Sequence, residues 1–238
     1  MRIITCFKRK RLPLGLALLV IASSVGAQTE VSSTGTGNQN WANGGNWSCA
    51  CNPNSTAYNV TIQGGHVINQ NVGNLNINNL TVEAGATLYI QDGQEIYIHG
   101  NLTLNGTIVF QDGGNIESDG VRMEGNGRML SGTGSFYNSM SNLDAGDTKS
   151  LFIFNNTTTI AAGTELRFYS ASDTYVNMMQ ITSGITVTNN GTIRLEQLSL
   201  VGAASSSTWI NKNGAYLYVG RALLATGTLT ANEVGNTV

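Results

Sequence analysis

The chain has 238 residues, a formal net charge of −2 and only 11% charged residues, against about 25% in an ordinary globular protein. The absence of a basic excess excludes nucleic acid and anionic membrane surfaces as expected partners, because both require clustered lysine and arginine. The 41% hydrophobic content, with its periodic β-branched residues, excludes a disordered chain. Low charge together with 29 glycines indicates an extracellular all-β protein and not a cytosolic enzyme.

Residues 1–27 have the three parts of a secretory signal peptide. A basic segment at residues 2–11 precedes an apolar run at residues 12–22, and the small residues 25–27 form a cleavage site before Gln28. The apolar run is shorter than the about 20 residues that a transmembrane helix needs, which disfavours the alternative of an uncleaved anchor. We therefore expect a secreted protein, extracellular or at the outer cell surface, without a membrane segment after cleavage.

Signal cleavage also changes the charge of the chain. Residues 1–27 carry five of the twelve Lys and Arg residues and no Asp or Glu, so seven basic side chains remain against fourteen acidic ones. The resulting formal charge of −7 strengthens the exclusion of nucleic acid and anionic membranes as partners.

Two cysteines, Cys49 and Cys51, remain after cleavage. An oxidising location favours a disulfide between them, although a bond across a single intervening residue is tight. Pairing with another chain is the alternative. A metal site is disfavoured, because two thiols supply half of a structural zinc shell and no histidine is near them in the sequence.

Residues 28–58 do not follow the repeat that comes after them. Residues 28–45 are rich in Thr, Ser, Gly and Asn and predict an exposed leader. A solenoid needs an atypical terminal unit to cover its first coil, so we interpret Trp41 and Trp47 as an N-terminal cap. The functional alternative is that the two indole rings form a sugar-stacking platform.

Residues 59–238 are organised around a repeat of about 20 to 22 residues. Its clearest units begin at Asn59, Asn79 and Asn101 and read Asn-Val-Thr-Ile, Asn-Leu-Thr-Val and Asn-Leu-Thr-Leu. Two further apolar series share this period, so each unit contains three short strands. Together they predict an all-β fold, a parallel β-helix in which each coil is the crossover between parallel strands. The three asparagines are expected to stack in a hydrogen-bonded ladder.

The period is blurred over residues 119–150 and returns from residue 151. Strands of this spacing predict eight or nine coils, with a longer loop in the middle of the β-helix. No capping unit is evident before Val238. We therefore expect the chain to be the N-terminal part of a longer protein.

Residues 36–118 carry motifs that together suggest a family. They are Gly37-Asn-Gln-Asn-Trp41, Gly45-Asn-Trp47-Ser-Cys49, Asn52-Pro53, Asn59-Val-Thr-Ile62, Gly65-His-Val, Leu80-Thr-Val-Glu-Ala-Gly-Ala-Thr-Leu88 and Gly100-Asn-Leu-Thr-Leu-Asn-Gly-Thr-Ile108. In these motifs the chain resembles secreted cell-surface proteins of Bacteroidetes-type bacteria. The resemblance implies a right-handed parallel β-helix, an adhesin-like role and export to the cell surface. It specifies a scaffold and not a chemistry.

The densest polar stretch lies at residues 111–128. β-Helix enzymes that cut acidic polysaccharides use carboxylates, often with calcium, beside a basic side chain, and a paired-carboxylate hydrolase is a related alternative. If the chain is an enzyme, its catalytic candidates are Asp112, Glu117, Asp119, Arg122 and Glu124. We favour a solvated face with local ion pairs, because catalysis requires a mutual geometry that spacing alone does not define.

No cofactor is expected, with calcium as the one alternative. Asp144 and Asp147 are calcium candidates, but the segment lacks the ligand density of known calcium loops. His66 and His99 are the only histidines, and we interpret both as surface residues.

Three functions fit these observations. The first is a secreted structural or adhesion protein, a rigid scaffold that contacts cell-surface or matrix polysaccharide or other surface proteins. The second is a protein that binds or degrades polysaccharide on the same fold, since fold alone does not decide function. The third is an extracellular fibre subunit that associates end to end through unpaired strand edges.

Overall fold

The computed structural model describes residues 27–35, 37–91, 93–111, 120–139, 148–171 and 176–238. Within these residues the chain forms 23 β-strands, numbered here in chain order, and one 3-10 helix, η1 (Gly44–Asn46). The strands lie in three all-parallel sheets that enclose one core. The protein is a right-handed parallel β-helix, as the sequence predicts.

The first sheet has nine strands, in spatial order β1 (Thr29–Ser32), β3 (Tyr58–Ile62), β6 (Leu80–Val82), β9 (Leu102–Leu104), β12 (Arg128–Ser131), β15 (Thr158–Ile160), β18 (Thr186–Asn189), β21 (Thr208–Asn211) and β23 (Thr228–Thr230). The second sheet has eight, in order β2 (Gly37–Asn40), β4 (His66–Gln70), β7 (Thr87–Ile90), β10 (Thr107–Phe110), β13 (Ser135–Asn138), β16 (Glu165–Ser170), β19 (Thr192–Leu195) and β22 (Tyr216–Val219). The third sheet has six, in order β5 (Asn74–Ile77), β8 (Glu95–Ile98), β11 (Gly120–Met123), β14 (Thr148–Phe154), β17 (Val176–Ile181) and β20 (Leu198–Gly202).

The strands alternate between apolar residues that face the core and polar residues that face outward. In β9, Leu102 and Leu104 are fully buried while Thr103 between them is half-buried. Because successive side chains of a strand point to opposite faces, this alternation gives each sheet an inner apolar face. Five phenylalanines pack together in the middle of the core, with the rings of Phe136 and Phe168 stacked at 4.3 Å. The others are Phe110, Phe152 and Phe154.

The coils are not of uniform length. In the first sheet, Leu80 pairs with Leu102, a step of 22 residues, but Leu102 pairs with Leu130, a step of 28. The following step, from Leu130 to Ile160, covers 30 residues. The predicted period of 20–22 residues therefore fails in the middle of the chain. The extra residues fall in the connections between the second and third sheets, where backbone can be added without disturbing the register of the strands.

Residues 28–45, predicted to form an exposed leader, are largely exposed but also contain two strands of the β-helix, β1 and β2. Strand β1 pairs with β3, and β2 pairs with β4, so this segment supplies the first strand of each of two sheets. Its polar composition conceals the strands because β1 buries only Val31 and β2 buries no residue. The side chain of Val31 is buried there while Thr29 and Glu30 remain exposed.

Trp41 and Trp47 lie in the core, with 0% and 2% of their surface exposed and their ring centroids 4.5 Å apart. Each indole N–H is hydrogen-bonded to a backbone carbonyl, Trp41 to Pro53 and Trp47 to Trp41. Rings closed off in this way cannot stack on a sugar, so the position favours the cap over the sugar platform. The nearby thiols of Cys49 and Cys51 are joined by a disulfide.

Asn59, Asn79 and Asn101 form a ladder on the outside of the first sheet. The side-chain oxygen of Asn59 accepts the backbone N–H of Asn79, that of Asn79 accepts the N–H of Asn101, and that of Asn101 accepts the N–H of Met129. The ladder thus connects side chain to backbone, whereas the sequence suggested bonds between amides. Each rung satisfies a backbone donor at the corner of a coil.

Residues 1–26 of the predicted signal peptide lie outside the described residues, so that prediction stands untested. Within the part of the chain that the structure describes, no helix has the length and apolar character needed to cross a membrane.

Candidate functional site

The outer face of the second sheet concentrates aromatic and charged side chains. The register aligns Thr87, Thr107, Ser135, Arg167, Arg194 and Tyr218 in one column that crosses six adjacent strands. A neighbouring column contains Tyr89, Val109, Tyr137 and Tyr169. Parallel in-register pairing places successive members of a column about 4.8 Å apart. We call the C-terminal part of this surface the tyrosine–arginine face, defined by Tyr137, Glu165, Arg167, Tyr169, Arg194, Glu196, Tyr216 and Tyr218.

The first half of the tyrosine–arginine face is built on Arg167. Its guanidinium lies 4.6 Å from the ring centroid of Tyr169, whose ring stacks on Tyr137 at 4.7 Å. Nε and Nη2 of Arg167 donate to the two carboxylate oxygens of Glu196 at 2.9 and 2.6 Å. The planar fork of a guanidinium matches a carboxylate in this two-bonded geometry. The hydrogen bond to Glu196 raises the pKa of Arg167 above its ordinary value.

The second half repeats this arrangement on the next two strands. The guanidinium of Arg194 lies 4.3 Å from the ring centroid of Tyr218 and 3.8 Å from a carboxylate oxygen of Glu165. Tyr216 and Tyr218 point outward from the same strand, with their rings nearly parallel at 5° and 6.3 Å apart. Two arginines, each between a tyrosine ring and a carboxylate, therefore lie side by side on the outer face of the sheet.

The charged groups of this face remain accessible to solvent. The exposed fraction of the side chain is 53% for Arg167 and 44% for Glu196, and 40% for Arg194 and 64% for Glu165. Tyr216 and Tyr218 are each 39% exposed. A ligand could thus reach the rings of Tyr216 and Tyr218 and the charged groups beside them without any rearrangement of the sheet.

A shallow depression of about 660 Å³ is lined in part by the four charged side chains of this face. Its walls include the hydroxyls of Thr87, Thr107 and Ser135 and the side chains of Arg167 and Arg194. Glycine forms part of its floor, and at Gly134 a Cβ atom would lie 2.2 Å from the carbonyl oxygen of Gly106. The corner of the coil can therefore approach its neighbour closely only with glycine at this position.

Arg122, one of the predicted catalytic candidates, lies on the outside of the third sheet and is bound to Glu95. Its Nε donates to a carboxylate oxygen of Glu95 at 2.9 Å, and its Nη2 contacts the same oxygen. The hydroxyl of Tyr97 donates to the other oxygen, and the Arg122 guanidinium lies 5.7 Å from the Tyr97 ring centroid. Burial and, next, the hydrogen bond to Glu95 raise the pKa of Tyr97.

Glu124, the other described candidate, is also engaged within the protein. A carboxylate oxygen of Glu124 accepts a hydrogen bond from the Asn155 side chain, and its backbone carbonyl accepts one from Asn156. Asp112, Glu117 and Asp119 lie outside the described residues, as do the calcium candidates Asp144 and Asp147. The catalytic and calcium predictions therefore stay predictions.

The two histidines have local partners. A ring nitrogen of His66 lies 2.7 Å from the hydroxyl of Ser33, and one of His99 lies 3.1 Å from the side-chain oxygen of Asn76. Among the described residues there is no group of three His, Cys, Asp or Glu side chains that could hold a metal ion.

The sequence shows the strands of the tyrosine–arginine face but not that their arginines are neighbours. Leu166-Arg-Phe168 and Ile193-Arg-Leu195 are recognisable strands with one outward arginine each. Their separation of 27 residues differs from the 20–22 of the first coils, so a fixed period does not bring the two arginines into one column. Only the strand register aligns them.

Comparison of the chain with protein-family models, with curated proteins and with solved structures found no match. The class of protein is therefore defined by the fold, a right-handed parallel β-helix with three strands per coil.

Proposed function

We propose that the protein is a secreted or cell-surface structural and adhesion protein, a rigid β-solenoid that presents a ligand-binding face. The observation that carries this proposal is the continuity of the three sheets around one core. In the first sheet, strands follow one another without a gap from β1 to β23. Nine strands at about 4.8 Å span roughly 40 Å, which suits a spacer that holds a surface away from a cell.

Two further features support an extracellular location. The first is the signal-peptide pattern of residues 1–27. The second is the disulfide between Cys49 and Cys51, since disulfides persist in oxidising compartments. The resemblance to Bacteroidetes-type surface proteins agrees with both features, and it leads us to propose the outer cell surface as the site of action.

Export is tested by expressing residues 1–238 in a bacterial host and measuring the mass of the protein that leaves the cytoplasm. We expect a chain that begins at Gln28. A chain that keeps residues 1–27 and stays in the cytoplasm would contradict the extracellular proposal.

Adhesion is tested with purified residues 28–238, which include all strands of the three sheets and would be coated on beads. Retention of the beads under flow on polysaccharide-coated surfaces measures adhesion.

An enzyme on the same scaffold is the competing function. Incubation of residues 28–238 with neutral and acidic polysaccharides, with and without calcium, should release no oligosaccharide. Product release that disappears in Arg122→Ala or Asp119→Asn would replace the adhesion proposal with a lyase or hydrolase.

End-to-end self-association is tested in the same preparation by light scattering over a range of protein concentrations.

A further inference from the structure

We propose that the tyrosine–arginine face binds a linear neutral polysaccharide that lies along the axis of the β-helix. This inference rests on the proposed adhesive function and assigns a site and a ligand class to it. Sugar rings would lie on the exposed rings of Tyr216 and Tyr218, because the Tyr169 ring is already packed between Tyr137 and Arg167. Sugar hydroxyls would bond to the guanidinium and carboxylate groups beside these rings.

The shape of the face selects an extended ligand. The aligned column from Thr87 to Tyr218 crosses six strands, so it is about 24 Å long at the spacing of adjacent strands. The depression follows this column from Thr87 to Arg194, and Tyr218 lies beyond it on the next strand. A polymer chain can contact both ends at once, whereas a small molecule can occupy only part of the column.

The chemistry of the face matches that of a sugar. A pyranose ring has a face of C–H groups and a rim of hydroxyls. The electron-rich face of a tyrosine ring attracts the C–H groups. Guanidinium donors and carboxylate acceptors bind hydroxyls that both donate and accept. A guanidinium has five N–H donors, and Arg167 uses Nε and Nη2 for Glu196, which leaves donor capacity for a ligand.

The charge of the face selects a neutral ligand. Arg167 and Arg194 are balanced by Glu165 and Glu196, so the site has no excess positive charge for a polyanion. The chain after residue 27 carries seven basic and fourteen acidic side chains, and this excess opposes an acidic polymer at long range.

A protein partner fits this face less well. The buried centre of a protein–protein interface is depleted of charged residues and is largely apolar. Here four charged side chains occupy the centre of the face. Apart from Tyr216 and Tyr218, the large hydrophobic side chains exposed among the described residues lie elsewhere, at Met129, Leu223, Val234 and Val238. Burial of the arginines and carboxylates against protein would require a partner that satisfies each of them.

The test is affinity electrophoresis of residues 28–238 in gels that contain a soluble neutral polysaccharide (xyloglucan, galactomannan, mixed-linkage β-glucan or dextran) or an acidic one (polygalacturonate or alginate). We expect retardation by at least one neutral polymer and by neither acidic polymer. The dissociation constant for the neutral polymer should rise about tenfold in Tyr218→Ala and in Arg167→Ala, since loss of about 1.4 kcal/mol corresponds to that factor. Tyr218→Phe, which keeps the ring, should bind within about twofold of the wild type.

The matched control is the ion pair between Lys212 and Glu233, which is exposed to a similar degree but lies outside the face. Lys212→Ala should leave binding unchanged, and thermal unfolding should show that every variant is folded. Binding that survives in Tyr218→Ala and Arg167→Ala would overturn the assignment of the site. Retardation by acidic polymers alone, or by no polysaccharide, would overturn the ligand class.

These outcomes separate the site from the adhesive function. If wild type and face variants are retained equally on a polysaccharide surface under flow, the scaffold proposal stands and the site assignment fails. If the export test returns an uncleaved cytoplasmic chain while the gel still shows binding that depends on Tyr218, the extracellular function fails and the site assignment stands.

Discussion

Two clusters of Arg, Glu and Tyr lie on different sheets of this β-helix and have different exposure. On the third sheet, Arg122 and Tyr97 both contact Glu95, whose side chain is only 6% exposed. On the second sheet, Arg167 contacts Glu196 beside Tyr169, and the two charged side chains are 53% and 44% exposed. The two clusters have the same residue types but differ in how far their charged side chains are exposed to solvent.

This difference determines what each cluster can do. A buried carboxylate must keep its partners, because an uncompensated buried charge is costly. The partners of Glu95 are therefore committed to the fold. An exposed ion pair contributes only about 0–1 kcal/mol to stability. Arg167 and Glu196 can accordingly bind a ligand without loss of the fold, which is why we assign binding to the second sheet.

Removal of the buried carboxylate should have the largest effect. Glu95→Ala should lower the free energy of unfolding by about 2–3 kcal/mol, because Arg122 and Tyr97 lose their common acceptor in a largely buried position. Urea unfolding followed by circular dichroism measures this change. Glu95→Gln, which retains an acceptor, should fall between wild type and Glu95→Ala. A loss below about 1 kcal/mol in Glu95→Ala would mean that this cluster resembles an exposed pair.

Alkaline pH should weaken the third-sheet cluster. Because burial raises the pKa of Tyr97 above its ordinary value of about 10, the folded protein holds that proton more tightly than the unfolded chain. The resulting stability is complete below the unfolded pKa and is lost as pH rises through the folded one. Urea midpoints between about pH 9 and pH 11 should fall less steeply in Tyr97→Phe. Equal slopes in the wild type and Tyr97→Phe would show that ionisation of Tyr97 does not contribute to the pH dependence of stability.

Removal of the exposed carboxylate should have a small effect. Glu196→Ala should change the free energy of unfolding by less than about 1 kcal/mol, because solvent screens its pair with Arg167. The same urea titration measures it, and high salt should reduce the difference from wild type further. A loss as large as that of Glu95→Ala would remove the contrast between the clusters.

The pair between Lys212 and Glu233 should give the smallest effect. The hydrogen bond from Lys212 lowers the pKa of Glu233, so its contribution is present above the ordinary glutamate pKa of about 4.3 and is lost as pH falls below it. Thermal unfolding of wild type and Lys212→Ala should differ slightly near neutral pH and converge in acid. A difference that grows in acid would reverse the sign of this linkage.

The sequence was sufficient to predict the fold because its repeat is direct. Asn59, Asn79 and Asn101 mark the same corner of successive coils, and their steps of 20 and 22 residues equal the coil lengths. For residues 28–45, composition indicated the exposure of the segment but not its two strands, because a terminal strand such as β1 buries little more than Val31. Pairing with β3, a long-range contact, decides that this segment is a strand.

The sites were harder to predict than the fold. Arg122 was identified as a candidate within residues 111–128, yet its partner Glu95 lies 27 residues earlier in the chain. Arg167 and Arg194 also lie 27 residues apart and occupy one column because longer coils have replaced the early period. In both cases the interacting residues lie on adjacent coils. Because insertions make the coils differ in length, no fixed sequence spacing identifies these partners.

The most direct test of this contrast is a paired titration of one neutral polysaccharide that retards the wild type. Arg122→Ala and Arg167→Ala would be titrated at a temperature at which both variants are folded. We expect Arg122→Ala to bind like the wild type despite its lower stability, and Arg167→Ala to bind about tenfold more weakly with nearly unchanged stability. Weaker binding in Arg122→Ala together with undiminished binding in Arg167→Ala would contradict the assignment of ligand binding to the exposed cluster.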